Sequence, residues 1–407
     1  MSYTVLARKH RPQSFDDVTG QEHVVKTLEN ALKQDRVAHA YLFCGPRGVG
    51  KTTAARLLAR ALNCEKGPTP APCGKCAACT EIRDGISVDV AEIDGASNNG
   101  VENVREIREN AKFLPQRDRH KIYIIDEVHM LSGAAFNALL KTLEEPPPHV
   151  KFIFATTEAH KLPDTILSRC QRHNFRRVSA GSMLKRLKSV ATLEKLKISD
   201  VALSLIIRQS EGGMRDALSL LDQVLSACGN NAKDDDVAEA LGAIDRTLIH
   251  GFVEALVTSD AAKLLALSEE VWNRGLDLRR LCEELALDLR NLFVTHVSKK
   301  APDELAETEQ QVLLALCAKA ERTQVARLFD IVHGAIWEIA RAAQPKLAFD
   351  VTLLKAIELA PAASIPELVA RLERLSSGQP LPPPRPSTPR SPAGASGGRS
   401  GPTGFRA

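Results

Sequence analysis

The sequence predicts an α/β domain built on a parallel sheet with a phosphate-binding loop. After it come a small helical domain, a second all-helical domain and a disordered Pro/Gly/Ser-rich tail. Three observations predict this. Nearly continuous apolar runs at 40–44 (AYLFC), 121–125 (KIYII) and 150–155 (VKFIFA) read as strands buried on both faces, the condition of a parallel sheet covered by helices. Beyond about residue 178 such runs stop and every legible pattern is helical. The last 32 residues, 376–407, hold 8 Pro, 6 Gly and 6 Ser, with only Leu381 and Phe405 large and apolar. Such a segment cannot bury enough surface to offset its ordering entropy.

Taken in order, residues 1–11 are polar and basic and lack the apolar stretch of a signal peptide. The first strand runs into Gly45, Pro46, Arg47, Gly48, Val49, Gly50, Lys51 and Thr52, which match G-x-x-x-x-G-K-[ST], and a helix-forming stretch begins at Thr53. Glycines let backbone N–H groups turn inward around phosphate oxygens at a helix N-terminus. Lys51 is placed to reach the β- and γ-phosphates of a nucleoside triphosphate, and the Thr52 hydroxyl to ligate Mg²⁺. The second strand ends in Asp126-Glu127. An aspartate there can hold the Mg²⁺ shell, and the next glutamate can orient and deprotonate an attacking water. Phe136, Leu139, Leu140 and Leu143 then recur at i, i+3, i+4 and i+7 until Pro146-Pro147-Pro148 ends the helix. The third strand ends in Thr156-Thr157, hydroxyls that either sense a γ-phosphate or are ordinary strand residues. Farther on, Leu278, Leu281, Leu285, Leu289 and Leu292 keep one helical face, and Gly212-Gly213, Gly229-Asn230-Asn231 and Gly242 punctuate the region. The expected domains are 1–178, 179–243 and 244–370, with the tail at 371–407.

Cys64, Cys73, Cys76 and Cys79 form C-x₈-C-x₂-C-x₂-C among Pro68, Pro70, Pro72, Gly67 and Gly74. Four thiolates within this 64–79 knuckle can close a structural Zn²⁺ site. Iron–sulfur ligation is the rival, but its ferredoxin run C-x₂-C-x₂-C-x₃-C-P is not matched. Cys44, Cys170, Cys228, Cys282 and Cys317 stand singly and are expected to be buried small residues.

Composition bounds the function. Hydrophobic residues at 44% and charged residues at 26% fit a soluble globular chain. Nine cysteines without a leader argue against a disulfide scaffold. No apolar run is long enough to span a membrane, so a cytoplasmic location is expected. The net charge of +4 equals the four tail arginines, Arg385, Arg390, Arg399 and Arg406. The body is therefore neutral, and net charge gives no reason to expect nucleic-acid binding.

With these residues in place, the chain resembles the bacterial DNA polymerase III gamma/tau family, the ATPases of the sliding-clamp loader, over about residues 1–370. The resemblance rests on YTVLARKHRPQ at 3–13, GQEH at 20–23, the phosphate-binding loop and the cysteines. It continues through DEVHM at 126–130, FNALLKTLEEP at 136–146, ATT at 155–157, SRC at 168–170 and RDALS at 215–219. It implies a three-domain AAA+ subunit with a helical lid and a helical collar that assembles with delta and delta-prime subunits and other copies of itself. It further implies ATP, Mg²⁺ and Zn²⁺ as cofactors, and the sliding clamp and primer–template DNA as partners. By the same resemblance Arg169 is an arginine finger toward a neighbour's ATP, and Arg215 contacts the ATP of its own subunit. Without it, each would read as a surface or salt-bridging arginine. Arg11 and Pro12 fall where the family's N-terminal segment approaches the adenine, and Lys141 and Lys161 are candidates for template phosphates. Two departures stand out. Residues 95–100 (GASNNG) lack the basic side chains a DNA-gripping loop would carry. The chain also stops before the domains by which the longer tau form binds helicase and polymerase, and so resembles the short gamma form. The rival readings are a helicase or branch-migration AAA+ motor and a non-enzymatic loader scaffold.

Overall fold

The computed structural model describes residues 5–302, 307–359 and 376. The expected tail at 371–407 and the end of the expected collar at 360–370 lie outside the described residues, Ser376 apart. The chain divides into two compact units, Met1–Ala243 and Ile244–Ala407.

The first unit contains one parallel sheet of five strands, β1 (Ala40–Cys44), β2 (Val90–Asp94), β3 (Lys121–Asp126), β4 (Val150–Thr156) and β5 (Gln171–Asn174), in the order β2-β3-β4-β1-β5. Leu42 pairs with Phe154 and Ile124 with Ile153. The helices in chain order are α1 (Leu6–Lys9), α2 (Glu22–Lys33), α3 (Lys51–Asn63), α4 (Ala77–Asp84), α5 (Val101–Ala111), α6 (Gly133–Glu144) and α7 (Asp164–Leu167). Tyr41, Phe43, Ile122 and Ile153 pack with Leu28 of α2 and Leu57 and Leu62 of α3 on one side of the sheet. Leu42, Tyr123, Phe152 and Phe154 pack with Val104 of α5 and Phe136, Leu139 and Leu143 of α6 on the other. Each such fully buried side chain contributes about 1.5–3 kcal/mol, so the central strands are rigid mounts for whatever their carboxyl ends carry. The α6 stripe lies as expected, with Leu140 at its half-buried margin.

The two outer strands carry no continuous apolar run. The sequence VAEID of β2 has no fully buried residue, and in QRHN of β5 only His173 is buried. Each pairs on one side only, and an edge strand without two covered faces need not be apolar.

After β5 the unit continues as helices α8 (Ala180–Leu193), α9 (Asp200–Gln209), α10 (Met214–Cys228) and α11 (Asp234–Ala240). Ser179 and Ser199 cap α8 and α9 by accepting from Ser182 N–H and Ala202 N–H, a contribution of about 1 kcal/mol each. Leu187, Leu203, Ile206, Leu221 and Val237 form their core, which Leu6 of α1 joins.

The second unit comprises α12 (Arg246–Thr258), α13 (Ala261–Asn273), α14 (Leu278–Ser298), α15 (Glu307–Lys319), α16 (Arg322–Arg341) and α17 (Pro345–Leu359). Leu278, Leu281, Leu285, Leu289 and Leu292 are all buried along α14. Beside them Arg246 donates to Asp288 (3.1 Å) and Glu309 (2.8 Å). Burial pushes the Asp288 carboxyl above its ordinary range, while Arg246 and His250 pull it back. No described helix is long and apolar enough to cross a membrane.

Candidate nucleotide site and cysteine cluster

The phosphate-binding loop joins the carboxyl end of β1 to the N-terminus of α3. Two of its glycines are sterically required. Gly45 sits at φ 152° with its missing Cβ 2.4 Å from Phe175 O, and Gly48 at φ 75° with its missing Cβ 2.4 Å from Asp216 Oδ2. Any side chain at either position would drive into backbone or into α10. Val49 is buried in the core, Arg47 is exposed, and Pro46, Gly50, Thr52 and Thr53 are half-buried. Lys51 is buried, and its ammonium donates to Gly45 O (2.8 Å) and Pro46 O (2.7 Å). Burial lowers its pKa, opposed by the Glu127 and Asp126 carboxylates.

Thr52 Oγ1 donates to Asp126 Oδ2 at 2.7 Å, which brings the loop and the end of β3 together. The hydroxyl and carboxylate form a hard-oxygen pair of the kind Mg²⁺ prefers. Glu127 follows at φ 45°, a left-handed conformation that costs a non-glycine residue about 1–3 kcal/mol and concentrates at functional sites. Thr157 steadies its carboxylate, the hydroxyl donating at 3.1 Å and the backbone N–H at 3.3 Å. Strand ends β3 and β4 thus meet through the two residues the sequence marked.

His129 belongs to this group, though sequence reasoning gave it no role. Its Nδ1 lies 3.0 Å from Thr156 Oγ1 and 3.4 Å from Glu127 Oε2, and its Nε2 lies 3.1 Å from Glu158 Oε2. A histidine three residues past a strand-end aspartate was the available signal.

Arg215 comes to the loop through its backbone, its N–H donating to Gly48 O at 3.0 Å. Arg11 lies in the same field. Burial lowers its pKa, as do the nearby Arg56, Arg215 and Arg8, with Glu92 opposing. Several guanidinium groups held this close suit a polyanionic ligand. Pro12 is half-buried beside it, and Gln13 accepts from Arg60 through its backbone and side-chain oxygens, both at 3.1 Å. Arg169 is not brought to this loop. Its guanidinium donates to Glu144 (2.7 Å) and Thr165 O (2.8 Å) at the end of α7. Lys161 pairs with Glu158 at 2.8 Å, while Lys141 lines a cleft between α5 and α6 with Arg108 and Lys112.

Cys64, Cys73, Cys76 and Cys79 converge between α3 and α4, with their sulfurs all within 4.8 Å of one another. A tetrahedron of about 2.3 Å metal–sulfur bonds spaces its sulfurs by about 3.8 Å, so the four fit one ion with small adjustments. Cys64 and Cys79 are buried. Cys73, fed by the Lys75 and Cys76 amides, is pulled down to about 6, and burial pushes Cys79 up to about 12. Among the single cysteines, Cys44 and Cys282 are buried, while Cys170, Cys228 and Cys317 are only half-buried, since each lies at the margin of its cluster.

Family models match three successive segments: "DNA polymerase III, delta subunit" over residues 20–179, "DNA polymerase III clamp loader subunit, ATPase lid domain" over 182–230, and "DNA polymerase III subunits gamma and tau domain III" over 232–372. Among curated relatives, DNA polymerase III subunit tau of Bacillus subtilis is 41% identical over 92% of this chain and 67% of its own length. Its Escherichia coli counterpart is 42% identical over 90% of this chain and 57% of its own length. DNA polymerase III subunit gamma of Buchnera aphidicola is 37% identical over 88% of this chain and 99% of its own length. The chain thus spans somewhat more than half the length of these tau relatives and nearly all of that gamma relative.

Proposed function

The chain belongs to the gamma/tau family of DNA polymerase III subunits, and on that premise we propose that it is an ATP-hydrolysing motor of a sliding-clamp loader. One observation carries the reading: Lys51, the Thr52–Asp126 pair and the Thr157-held Glu127 converge where α10 closes on Gly48. In this reading 1–178 is the ATPase domain, 179–243 its lid and 244–370 the collar. Lys51 releases the loop carbonyls and moves its ammonium to the β- and γ-phosphates. Thr52 and Asp126 would hold Mg²⁺, which when bound would neutralise phosphate charge. Glu127 orients the attacking water and takes its proton, and Thr157 keeps that carboxylate aimed. Arg215 and Arg11 hold the bound nucleotide, and Arg169 serves a neighbouring subunit.

The partners in this reading are delta, delta-prime, further copies of the chain, the clamp and primer–template DNA. Binding of ATP closes the subunits into a spiral that opens the clamp, and hydrolysis releases it. Native mass spectrometry of the chain with delta, delta-prime and clamp, with ATP present, tests this. A heteropentamer that engages the clamp is expected, whereas a homohexamer on DNA would favour a branch-migration motor. The intact Lys51, Thr52, Asp126 and Glu127 set speaks against a scaffold without hydrolysis.

The cysteine cluster is read as a closed structural zinc site, since all four positions are filled by thiolates and none is left for substrate. Elemental analysis is expected to find about one zinc per chain. Cys76→Ser should release it and lower the melting temperature, because metal affinity is coupled to folding, while nucleotide binding persists. Full zinc retention by that variant would remove Cys76 from the ligand set.

A further inference from the structure

Gln21 opens α2, yet its side chain does not cap that helix. It is fully buried, where an amide left without partners would be destabilising. Both of its side-chain hydrogen bonds go to the backbone of one distant residue: Nε2 donates to Arg176 O at 2.7 Å, and Oε1 accepts from Arg176 N–H at 3.0 Å. Two points of attachment, one on each of the peptide groups that flank Arg176, fix both the place and the tilt of the backbone there. His23, two residues on, adds a contact from Nε2 to Asn174 O at 2.8 Å.

The clamped residue lies on the short passage from β5 to α8, by which the chain leaves the sheet for its helical lid. On one side of this strap Phe175 N–H donates to Cys44 O at 2.7 Å, and Phe175 O lies against Gly45. On the other, Val178 N–H donates to Gly212 O at 3.0 Å and Arg177 donates to Glu211 O. The turn at 211–213 opens α10, whose Arg215 N–H reaches Gly48 O. Hydrogen bonds joined by short stretches of chain therefore lead from Gln21 through the strap to the residue that bridges lid and phosphate-binding loop.

We propose that Gln21 is a positioning residue for nucleotide binding. By anchoring the strap it sets the angle at which α10 presents Arg215 to the phosphates. This rests on the reading of Gly45–Thr52 as the nucleotide site. Gln21 touches no substrate and acts only through Arg176 and the lid.

The test is a double-mutant cycle read by binding of a fluorescent N-methylanthraniloyl ATP. Gln21→Met keeps the volume and removes both hydrogen bonds. It is expected to weaken binding about tenfold, within the range of coupled sites. In an Arg215→Ala background the same change should add less than about twofold, because the lid then has no guanidinium to deliver. Gln21→Glu can still accept from Arg176 N–H but sets a carboxylate against Arg176 O, and should behave like Gln21→Met. It also serves if the methionine variant is insoluble. Hydrogen exchange should quicken at the Val178 and Arg215 amides and stay unchanged through α3. Full additivity with Arg215→Ala, or faster exchange in α3 as well, would reduce Gln21 to a core residue and overturn the proposal. If instead Lys51→Ala binds the probe as tightly as the unmodified chain, the nucleotide-site reading itself fails, a result that the Gln21 variants cannot mimic.

Discussion

Glu127→Gln is expected to bind ATP normally while its turnover falls by about 10²–10⁴, the range that a positioned general base contributes. Lys51→Ala is expected to lose binding itself. The two differ because the residues meet the ligand differently. Lys51 is the buried cation of the loop, and removing one partner of a buried charge pair costs about 2–5 kcal/mol. Glu127 would meet only the water. Its glutamine analogue keeps the oxygen that Thr157 Oγ1 donates to at 3.1 Å, so the side chain should stay in place and lose only the capacity to take a proton. Binding measured by equilibrium dialysis and turnover by phosphate release separate the two outcomes. Equal loss of binding in both variants would take Glu127 out of its catalytic role.

The centre of the sheet was legible because β1, β3 and β4 are covered on both faces, which forces continuous apolar runs such as Tyr41-Leu42-Phe43 and Phe152-Ile153-Phe154. The edges were not. Nothing in the polar run at 171–174 announces a strand, and its place depends on pairing with β1. The site divides the same way. The phosphate-binding loop and the Asp126-Glu127 pair are each a contiguous stretch of sequence, and the residue types in each state their chemistry. The contacts that assemble them are long-range. Gly48 against Asp216, Gln21 on Arg176 and His129 on Thr156 and Glu158 join segments whose separation no periodicity encodes. Arg215 and Arg169 were assigned by resemblance alone. The structure brings the backbone of Arg215 to the loop and ties the Arg169 guanidinium to Glu144 and Thr165 O.

Arg169→Ala is expected to bind ATP normally and to abolish hydrolysis at subunit junctions, a loss on the order of 10³–10⁵ for a finger of this kind. Its position leaves it free for that role. The guanidinium lies just past α7, tied to Glu144 at 2.7 Å and Thr165 O at 2.8 Å, with no contact to Gly45–Thr52 among the described residues. Both partners of the Glu144 pair are partly open to solvent, and such pairs contribute about 0–1 kcal/mol. Arg169 can therefore leave Glu144 at little cost when a γ-phosphate arrives from the adjoining subunit, where it would stabilise charge that grows in the transition state. Glu144→Ala should accordingly leave hydrolysis within about twofold, since it removes only that weak tether. The decisive experiment mixes Lys51→Ala chains with Arg169→Ala chains in assembled complexes. Junctions that pair an intact loop from one chain with an intact finger from the other should regain activity, with a maximum at intermediate mixing ratios. A finger that served its own subunit would leave neither chain with a working site. Turnover that stays flat across all ratios, with assembly verified by native mass spectrometry, would place Arg169 outside the junction chemistry.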